Sequence, residues 1–517
     1  MAGVEEQVSE QVTPNGSAGG REPFAVINPA TGAVTAHVPH LSPEEVHELA
    51  VKGRQAQPGW NALGFDGRAR IFLRAQKWLL DNRERVIETI QSETGKTYED
   101  ALLAEISYGA AAFGFWAKNA PKYLADERVH SSNLLVKGKK LVVRFKPLGL
   151  IGVIGPWNYP LTNSFGDCIP AMAAGNSVIL KPSEITPLTS LLMGEMLREC
   201  GMPEHVYQVA TGLGDTGAAL IDEVDMIMFT GSTATGKKVA VEAAKNLTPV
   251  SLELGGKDPL IVLSDADVER AANTAVFASM QNSGQTCISI ERVFVEEPVY
   301  DEFVGKVREK VSALRQGVPA GPGSVDVGAM TFPKQVDIVE RHVNDAVEHG
   351  AKTLTGGHRV EGAGDFFEPT VLVDVTPDMA CMTEETFGPT LPIVKVRDQE
   401  EAIRLANQGP YGLSGSVFSK DVARGEAVAR RLDTGAVCVN DAIINYVALE
   451  LPMGGAKESG LGTRHGANGI RKYCQPQTIL VSRSFPKRDM HMFPYTDKMT
   501  RRLGQGIKLM HGRGKRD

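Results

Sequence analysis

Cysteine is scarce in this 517-residue chain: six residues, Cys168, Cys200, Cys287, Cys381, Cys438 and Cys474, lie far apart. No two of them form a CxxC pair and none has metal-ligand spacing, which excludes a zinc-ribbon type of site and a CxxC redox motif. Reduced thiols and no metal are expected. No apolar run approaches the roughly 20 residues that a membrane-spanning helix needs. Basic charge is not in excess either, since the net charge is −7, so nothing calls for nucleic-acid binding. The opening stretch "MAGVEEQVSEQVTPNGSAGG" has no apolar core of the secretory kind and reads as a disordered leader over residues 1–20, giving a cytoplasmic expectation. There is no internal repeat of the solenoid type.

What the chain does have is the make-up of an ordinary globular protein, 42% hydrophobic and 23% charged. Its length exceeds what one core supports, so two or three domains are expected. Ser42, Pro43 and Glu45 form a capping-box pattern that predicts a helix start. Amphipathic spacing from about Phe65 to Tyr123 predicts several packed helices. From Leu148 the texture changes to short apolar runs that end in Gly, Pro or Ser: "LGLIGVIGPW", "NSVILKPSE", "HVYQVATG", "VDMIMFTGS" and "TPVSLELGG". Their alternation with helical stretches predicts a doubly wound parallel sheet. A second set after about residue 254, "DPLIVLS", "RVFVEEP", "FFEPTVLVDV" and "TLPIVKVRD", predicts another α/β domain, and "LLVKGKKLVVRFKP" reads as a hairpin turning at Gly138.

Several loops compete for a phosphate. "GLGDTG", Gly212 to Gly217, satisfies GxGxxG, which alone is weak evidence. "FTGSTATGKK" combines Gly231 and Gly236 with hydroxyls at a strand-to-helix junction, where free N–H groups favour an anion. As a Walker A loop it fails, because Lys238 stands where a magnesium-binding Ser or Thr is required. "KPSE" places Lys181 and Glu184 at the end of an apolar run, where a carboxylate can accept from ribose hydroxyls. Glu253 lies between Leu252 and Leu254 in an apolar stretch before two glycines, and burial there would raise its pKa toward that of a neutral-pH general base. Asn158, between Trp157 and Tyr159, can offer an amide N–H to an oxyanion. Cys287 follows "GQT" among small and polar residues; taken singly, a free cysteine is more often core than catalyst.

Together these motifs resemble the aldehyde dehydrogenase superfamily over about residues 24 to 485. "PWN" at 156–158, "KPSE" at 181–184, "FTGS" at 229–232, "ELGGK" at 253–257, "GQTC" at 284–287, "ETFGP" at 385–389 and "PMGGAKESGLG" at 452–462 occur in the family's order. The resemblance implies Cys287 as nucleophile, Glu253 as general base, and Asn158 with the Cys287 backbone N–H as oxyanion hole. It also implies a dinucleotide held by Trp157, Lys181, Ser183, Glu184, Gly231, Ser232, Leu254, Glu385 and Phe387. NAD is the expected cofactor, because Glu184 would repel a 2′-phosphate; Lys181 beside it keeps NADP possible. The expected reaction oxidises a small aldehyde to its carboxylic acid through a thioester. The alternatives are a CoA-acylating enzyme, whose members generally lack the glutamate at position 253, and a catalytically silent member with a binding or structural role.

By the same resemblance the chain divides into a dinucleotide-binding domain (21–128 and 148–253), a catalytic domain (254–473) and oligomerisation elements (129–147 and 474–485), so a homo-oligomer is expected. The motif texture is closest to succinate-semialdehyde dehydrogenases, several of which carry an arginine at the position of Gln281. Two departures stand out. Asp167 and Arg464 occupy positions where many members have a lysine and a glutamate, and the joint reversal predicts an opposite-charge pair near Glu253. The tail 486–517 carries +6 of a total of −7, so the rest of the chain carries −13. Met499, Leu503, Ile507 and Met510 recur there at helical spacing beside Lys498, Arg501, Arg502 and Lys508, a basic amphipathic pattern compatible with weak contact at a membrane surface.

Overall fold

The helix expected after Ser42 spans Pro43–Ala62, and both halves of its capping box form: the Glu45 N–H donates to Ser42 Oγ, and the Ser42 N–H to the Glu45 carboxylate at 2.8 Å. The structure is a computed structural model that describes residues 21–131, 133, 136, 138–483, 486–489 and 492–511; the leader 1–20 lies outside the described residues. The chain separates into two units, one comprising residues up to Leu124 with Lys146–Gln475, the other Ala125–Phe145 with the segment from Pro476 onward.

Within the first unit, the apolar runs after Leu148 become strands Leu150–Ile154, Ser177–Lys181, Tyr207–Val209, Met226–Thr230 and Val250–Glu253. They pair in parallel, and Gly460–Leu461 adds an antiparallel edge to Val250–Glu253. Numbering the five parallel strands by sequence, the order across the sheet is 3-2-1-4-5, the dinucleotide-binding arrangement. Continuous hydrophobic runs suit this position, because helices cover both faces of such a sheet. The expected helices lie at Gly64–Asp81, Arg83–Thr94 and Ser107–Tyr123.

A seven-stranded sheet forms the second α/β layer of the same unit. Its order is Lys352–Thr355, Thr370–Val373, Thr390–Val396, Ile290–Glu296, Asp258–Val262, Ser416–Phe418, Cys438–Val439, with only the first pair antiparallel. Phe294, Leu372 and Ile261 pack on one face of it with the helix Pro333–Glu348. Val293, Leu391 and Leu260 pack on the other with the helices Val268–Met280 and Glu297–Ser312.

The second unit holds a three-stranded sheet in the order Cys474–Val481, Lys140–Pro147, Glu127–Val129. Lys140–Pro147 is one arm of the expected hairpin; residues 134, 135 and 137 of the other arm lie outside the described residues. Its partner on one side is Glu127–Val129, antiparallel. A helix covers Asp497–His511, with Met499 buried, Ile507 and Leu509 exposed, and Lys498, Arg501, Arg502 and Lys508 exposed around it. The side chain of Met510 lies outside the described residues. Among the described residues no helix is long and apolar enough to cross a membrane.

Candidate active site

Five loops converge where the parallel strands of the six-stranded sheet end. Leu150–Ile154 and Met226–Thr230 are neighbours, and the connections leave them toward opposite halves of the sheet, which opens a crevice at their carboxyl ends. The first delivers Trp157 and Asn158, the second Gly231 and Ser232, and Val250–Glu253 ends on Glu253 itself. A cleft of about 230 Å3 there is lined by Trp157, Asn158, Gly231, Ser232, Glu253, Leu254, Glu385, Phe387 and Cys287, among others. The structure therefore brings together nine of the twelve residues singled out from the sequence. Lys181 ends the adjacent strand Ser177–Lys181, Ser183 and Glu184 follow just past it, and Lys181 Nζ lies 3.2 Å from the Glu184 carboxylate.

The crevice fits a dinucleotide. Ser232 caps the helix Thr233–Lys245 through the Thr235 N–H, so the helix start and its donors face the loop where a pyrophosphate belongs. A Cβ on Gly255 would stand 2.4 Å from the Glu385 carboxylate, and one on Gly231 2.7 Å from the Phe229 ring. Trp157 and Phe387 meet edge to face at 5.4 Å. Two buried polar atoms, Asn158 Oδ1 and Glu253 Oε1, have no hydrogen-bond partner, and polar atoms left so in a dry site point to an occupant or water. The rival loop Gly212–Gly217 is fastened locally. Asp215 there engages Arg21 and His40, and Thr216 Oγ1 donates to the Leu41 carbonyl at 2.8 Å, which fastens the segment before the first helix.

Cys287 sits on a loop that its surroundings hold in a sparsely populated conformation. Asn282, Ser283 and Gly284 have φ of 49°, 56° and 73° in succession, and a Cβ on Gly284 would fall 2.0 Å from the Gly388 carbonyl. Such backbone persists only where neighbours over-determine it. Here Ser283 Oγ donates to the Gly328 carbonyl at 2.9 Å, Gln285 Nε2 to the Asn282 carbonyl at 2.9 Å, and the Thr331 N–H to Gln285 Oε1 at 2.8 Å. Asn158 Nδ2 donates to the Gln285 carbonyl at 2.9 Å, fixing the amide beside the cysteine loop. Sequence reasoning missed what lies behind Asn158: a fully buried Lys96–Glu105 ion pair at 2.6 Å. Lys96 Nζ also donates to the Asn158 carbonyl at 2.8 Å, and Glu105 accepts the N–H groups of Leu161 and Thr162.

The electrostatics separate the site's titratable groups. Burial pushes the Glu253 carboxyl up to about 7, against the pull of Arg464 and Lys472. Burial pushes the Cys287 thiol up to about 12, with Arg464 opposing and Glu253 adding to the rise. Cys287 is nonetheless the one cysteine of the six whose residue keeps some solvent exposure. Glu385 is raised to about 8 by burial, with Glu291 reinforcing it.

The charge reversal resolves into a pair. Arg464 Nε and Nη2 meet the two oxygens of Asp167 at 2.9 and 2.8 Å, both residues buried, and Arg464 Nη1 lies 3.9 Å from Glu253 Oε2. Arg464 also donates to Thr230 Oγ1. Arg464→Gln is expected to cost about 3–5 kcal/mol of stability, because it strands Asp167 in a dry site. It should also raise the Glu253 pKa, moving the pH at which turnover rises upward. Denaturant unfolding and a pH–rate profile check the two effects; an unchanged unfolding midpoint would contradict the first.

The aldehyde dehydrogenase family model matches residues 16–479. A 4,4'-diapolycopene aldehyde oxidase of Methylomonas is 38% identical over 475 residues, covering 92% of this chain and 88% of that protein. A protein of Mycolicibacterium smegmatis, provisionally named succinate-semialdehyde dehydrogenase [NADP(+)], is 40% identical over 456 residues, covering 88% and 87%. Among solved structures, lactaldehyde dehydrogenase from Escherichia coli superposes with a TM-score of 0.85 at 34% identity, covering 90% of this chain and 96% of that one. An aldehyde dehydrogenase of Bacillus cereus in complex with NAD+ gives 0.85 at 31%, covering 90% and 94%. Sequence and fold thus agree over most of the chain, which belongs to the aldehyde dehydrogenase family and is an NAD(P)-dependent oxidoreductase that converts aldehydes to acids.

Proposed function

We propose that Cys287 carries the substrate through the reaction, with Asn158 holding the oxyanion and Glu253 serving as general base. The observation that supports this best is that the three residues share one 230 Å3 cleft at the mouth of a dinucleotide-type sheet. As a thiolate, Sγ adds to the aldehyde carbon, and the oxygen that gains the electron pair is met by the Asn158 amide and the Cys287 N–H. A nicotinamide held in the crevice by residues such as Trp157, Glu385 and Phe387 would supply the acceptor for the hydride that the carbon gives up. What remains on Cys287 is a thioester. Glu253, deprotonated above about pH 7, takes a proton from water; the hydroxide equivalent adds to the thioester carbon and the C–S bond breaks, releasing the acid. A thiol held near 12 is mostly protonated at neutrality, so attack needs a proton acceptor or a nearby positive charge. Arg464, whose charge already opposes the rise of the thiol pKa, is the positive charge the site supplies.

Trp157, Gly231, Ser232, Leu254, Glu385 and Phe387 are the proposed contacts to the dinucleotide within the cleft, with Lys181, Ser183 and Glu184 at its adenosine end. The Glu184 carboxylate supports NAD over NADP, and Lys181 at 3.2 Å tempers that preference. Following NADH absorbance with simple aldehydes, with and without coenzyme A, tests the reading. Turnover independent of coenzyme A and a free acid product are expected; a strict requirement for coenzyme A would contradict hydrolysis by Glu253.

The strand Cys474–Val481 also supports assembly into a homo-oligomer. Seven of its eight residues are exposed, Ile479, Leu480 and Val481 among them, and an uncovered apolar strand is a pairing surface. Light scattering at micromolar concentration should give a mass at least twice 55.6 kDa; a monomer mass would contradict this.

A further inference from the structure

On the other side of Cys287 lies a second cavity, of about 560 Å3, that the dinucleotide reading does not use. Its inner walls include Tyr108, Tyr159, Ile288 and Tyr446. Its rim carries Leu103, Phe277, Ile444 and Val447, each more than half exposed. Single exposed apolar residues need no explanation, but four around one opening mark a binding mouth.

Several polar atoms of this cavity are committed to protein partners. Tyr446 donates to Asn163 Oδ1 at 2.6 Å, Thr162 Oγ1 donates to the Ala104 carbonyl at 2.6 Å, and the Tyr159 and Thr286 hydroxyls are 2.7 Å apart. The Tyr108 hydroxyl is 2.9 Å from His465 Nε2. Among the described residues no Lys, Arg or His lines the cavity, and its one ionisable acid, Asp441, is paired with Arg270. Arg270 does not line the cavity and is committed to the Asn440 carbonyl at 2.9 Å and to Asp441 at 3.3 Å. A substrate ending in a carboxylate would lose hydration here and gain no cation in return.

We propose that the preferred substrate is an uncharged aldehyde with a hydrocarbon tail, its carbonyl at Cys287 and its tail lying between the tyrosines and the Phe277–Ile444 rim. Acid-ended semialdehydes are then poor substrates, in spite of the relatives named for one. This rests on the reading of Cys287 as nucleophile. Each methylene that moves from water onto these walls should raise kcat/KM by up to about fourfold, until the cavity is filled.

The test uses the full chain with NAD and compares butanal, hexanal, octanal and decanal with succinate semialdehyde. A rise in kcat/KM along the neutral series, with octanal above succinate semialdehyde by about a hundredfold or more, is expected from that increment. Phe277→Arg, at the exposed rim, should lower kcat/KM for octanal and raise it for succinate semialdehyde. Succinate semialdehyde matching octanal in the parent chain, or a Phe277→Arg variant whose ratio is unmoved, overturns the inference while the catalytic reading stands. Absence of turnover with every aldehyde overturns both.

Discussion

Replacing Cys287 by alanine should abolish aldehyde oxidation, lowering kcat by about 10^4-fold or more, as removal of a covalent nucleophile does. Dinucleotide affinity should stay within about twofold, because the other residues of the crevice come from loops that the substitution leaves alone. The change is small sterically: Cys287 is not among the fully buried core cysteines, and its loop is held by Ser283, Gln285 and Thr331 through bonds that do not involve the thiol. Loss of activity with unaltered unfolding would therefore report chemistry and not collapse of the loop. The measurement is a single-turnover assay for NADH alongside a titration of NAD binding. Turnover above about a tenth of the parent rate would reassign the nucleophile.

Glu253→Gln should separate the two halves of the reaction. Hydride transfer needs the thioester to form, not to break, so NADH should appear in a burst equal to the number of sites. The steady state after it should be slower by about 10^2–10^4-fold, the usual worth of a positioned general base. The pH dependence carries the same signature. In the parent chain the deacylation rate should rise as pH passes through about 7, where burial has moved the Glu253 carboxyl: the neutral acid below that pH cannot accept a proton from water, and the carboxylate above it can. In Glu253→Gln that limb should vanish. A variant that loses the burst as well would place Glu253 in the first half, as the acceptor of the thiol proton.

How much of the fold and site is visible in the sequence depends on how local the signal is. The capping box at Ser42 and the strand ends at "PWN", "KPSE" and "FTGS" are written in consecutive residues, and the structure forms them there. The 3-2-1-4-5 order, by contrast, comes from crossovers that no local pattern encodes. Lys96 is the clearest miss: nothing in the local pattern "ETGKTYED" marks it, and it is fully buried against Glu105 and the Asn158 carbonyl. Only long-range contact reveals it. The same holds for Gln285, a side chain of the "GQTC" motif whose task is to splice Asn282 to Thr331. Asp167 and Arg464 could be paired in advance, 297 residues apart, because two reversed charges at family positions carry a non-local signal. The "GLGDTG" segment shows why a short pattern is weak evidence alone. It matches a dinucleotide pattern, yet its Thr216 and Asp215 bind the residues before the first helix.

In the proposed mechanism, a covalent acyl group on Cys287 connects hydride loss to acid release. Incubating Glu253→Gln with NAD and octanal, quenching in acid during the burst, and measuring the mass of the peptide that contains Cys287 tests this most directly. An octanoyl addition on that peptide, close to stoichiometric with the NADH formed, is expected. NADH formed with Cys287 unmodified, or an acyl group on Cys168, Cys200, Cys381, Cys438 or Cys474 instead, would contradict it.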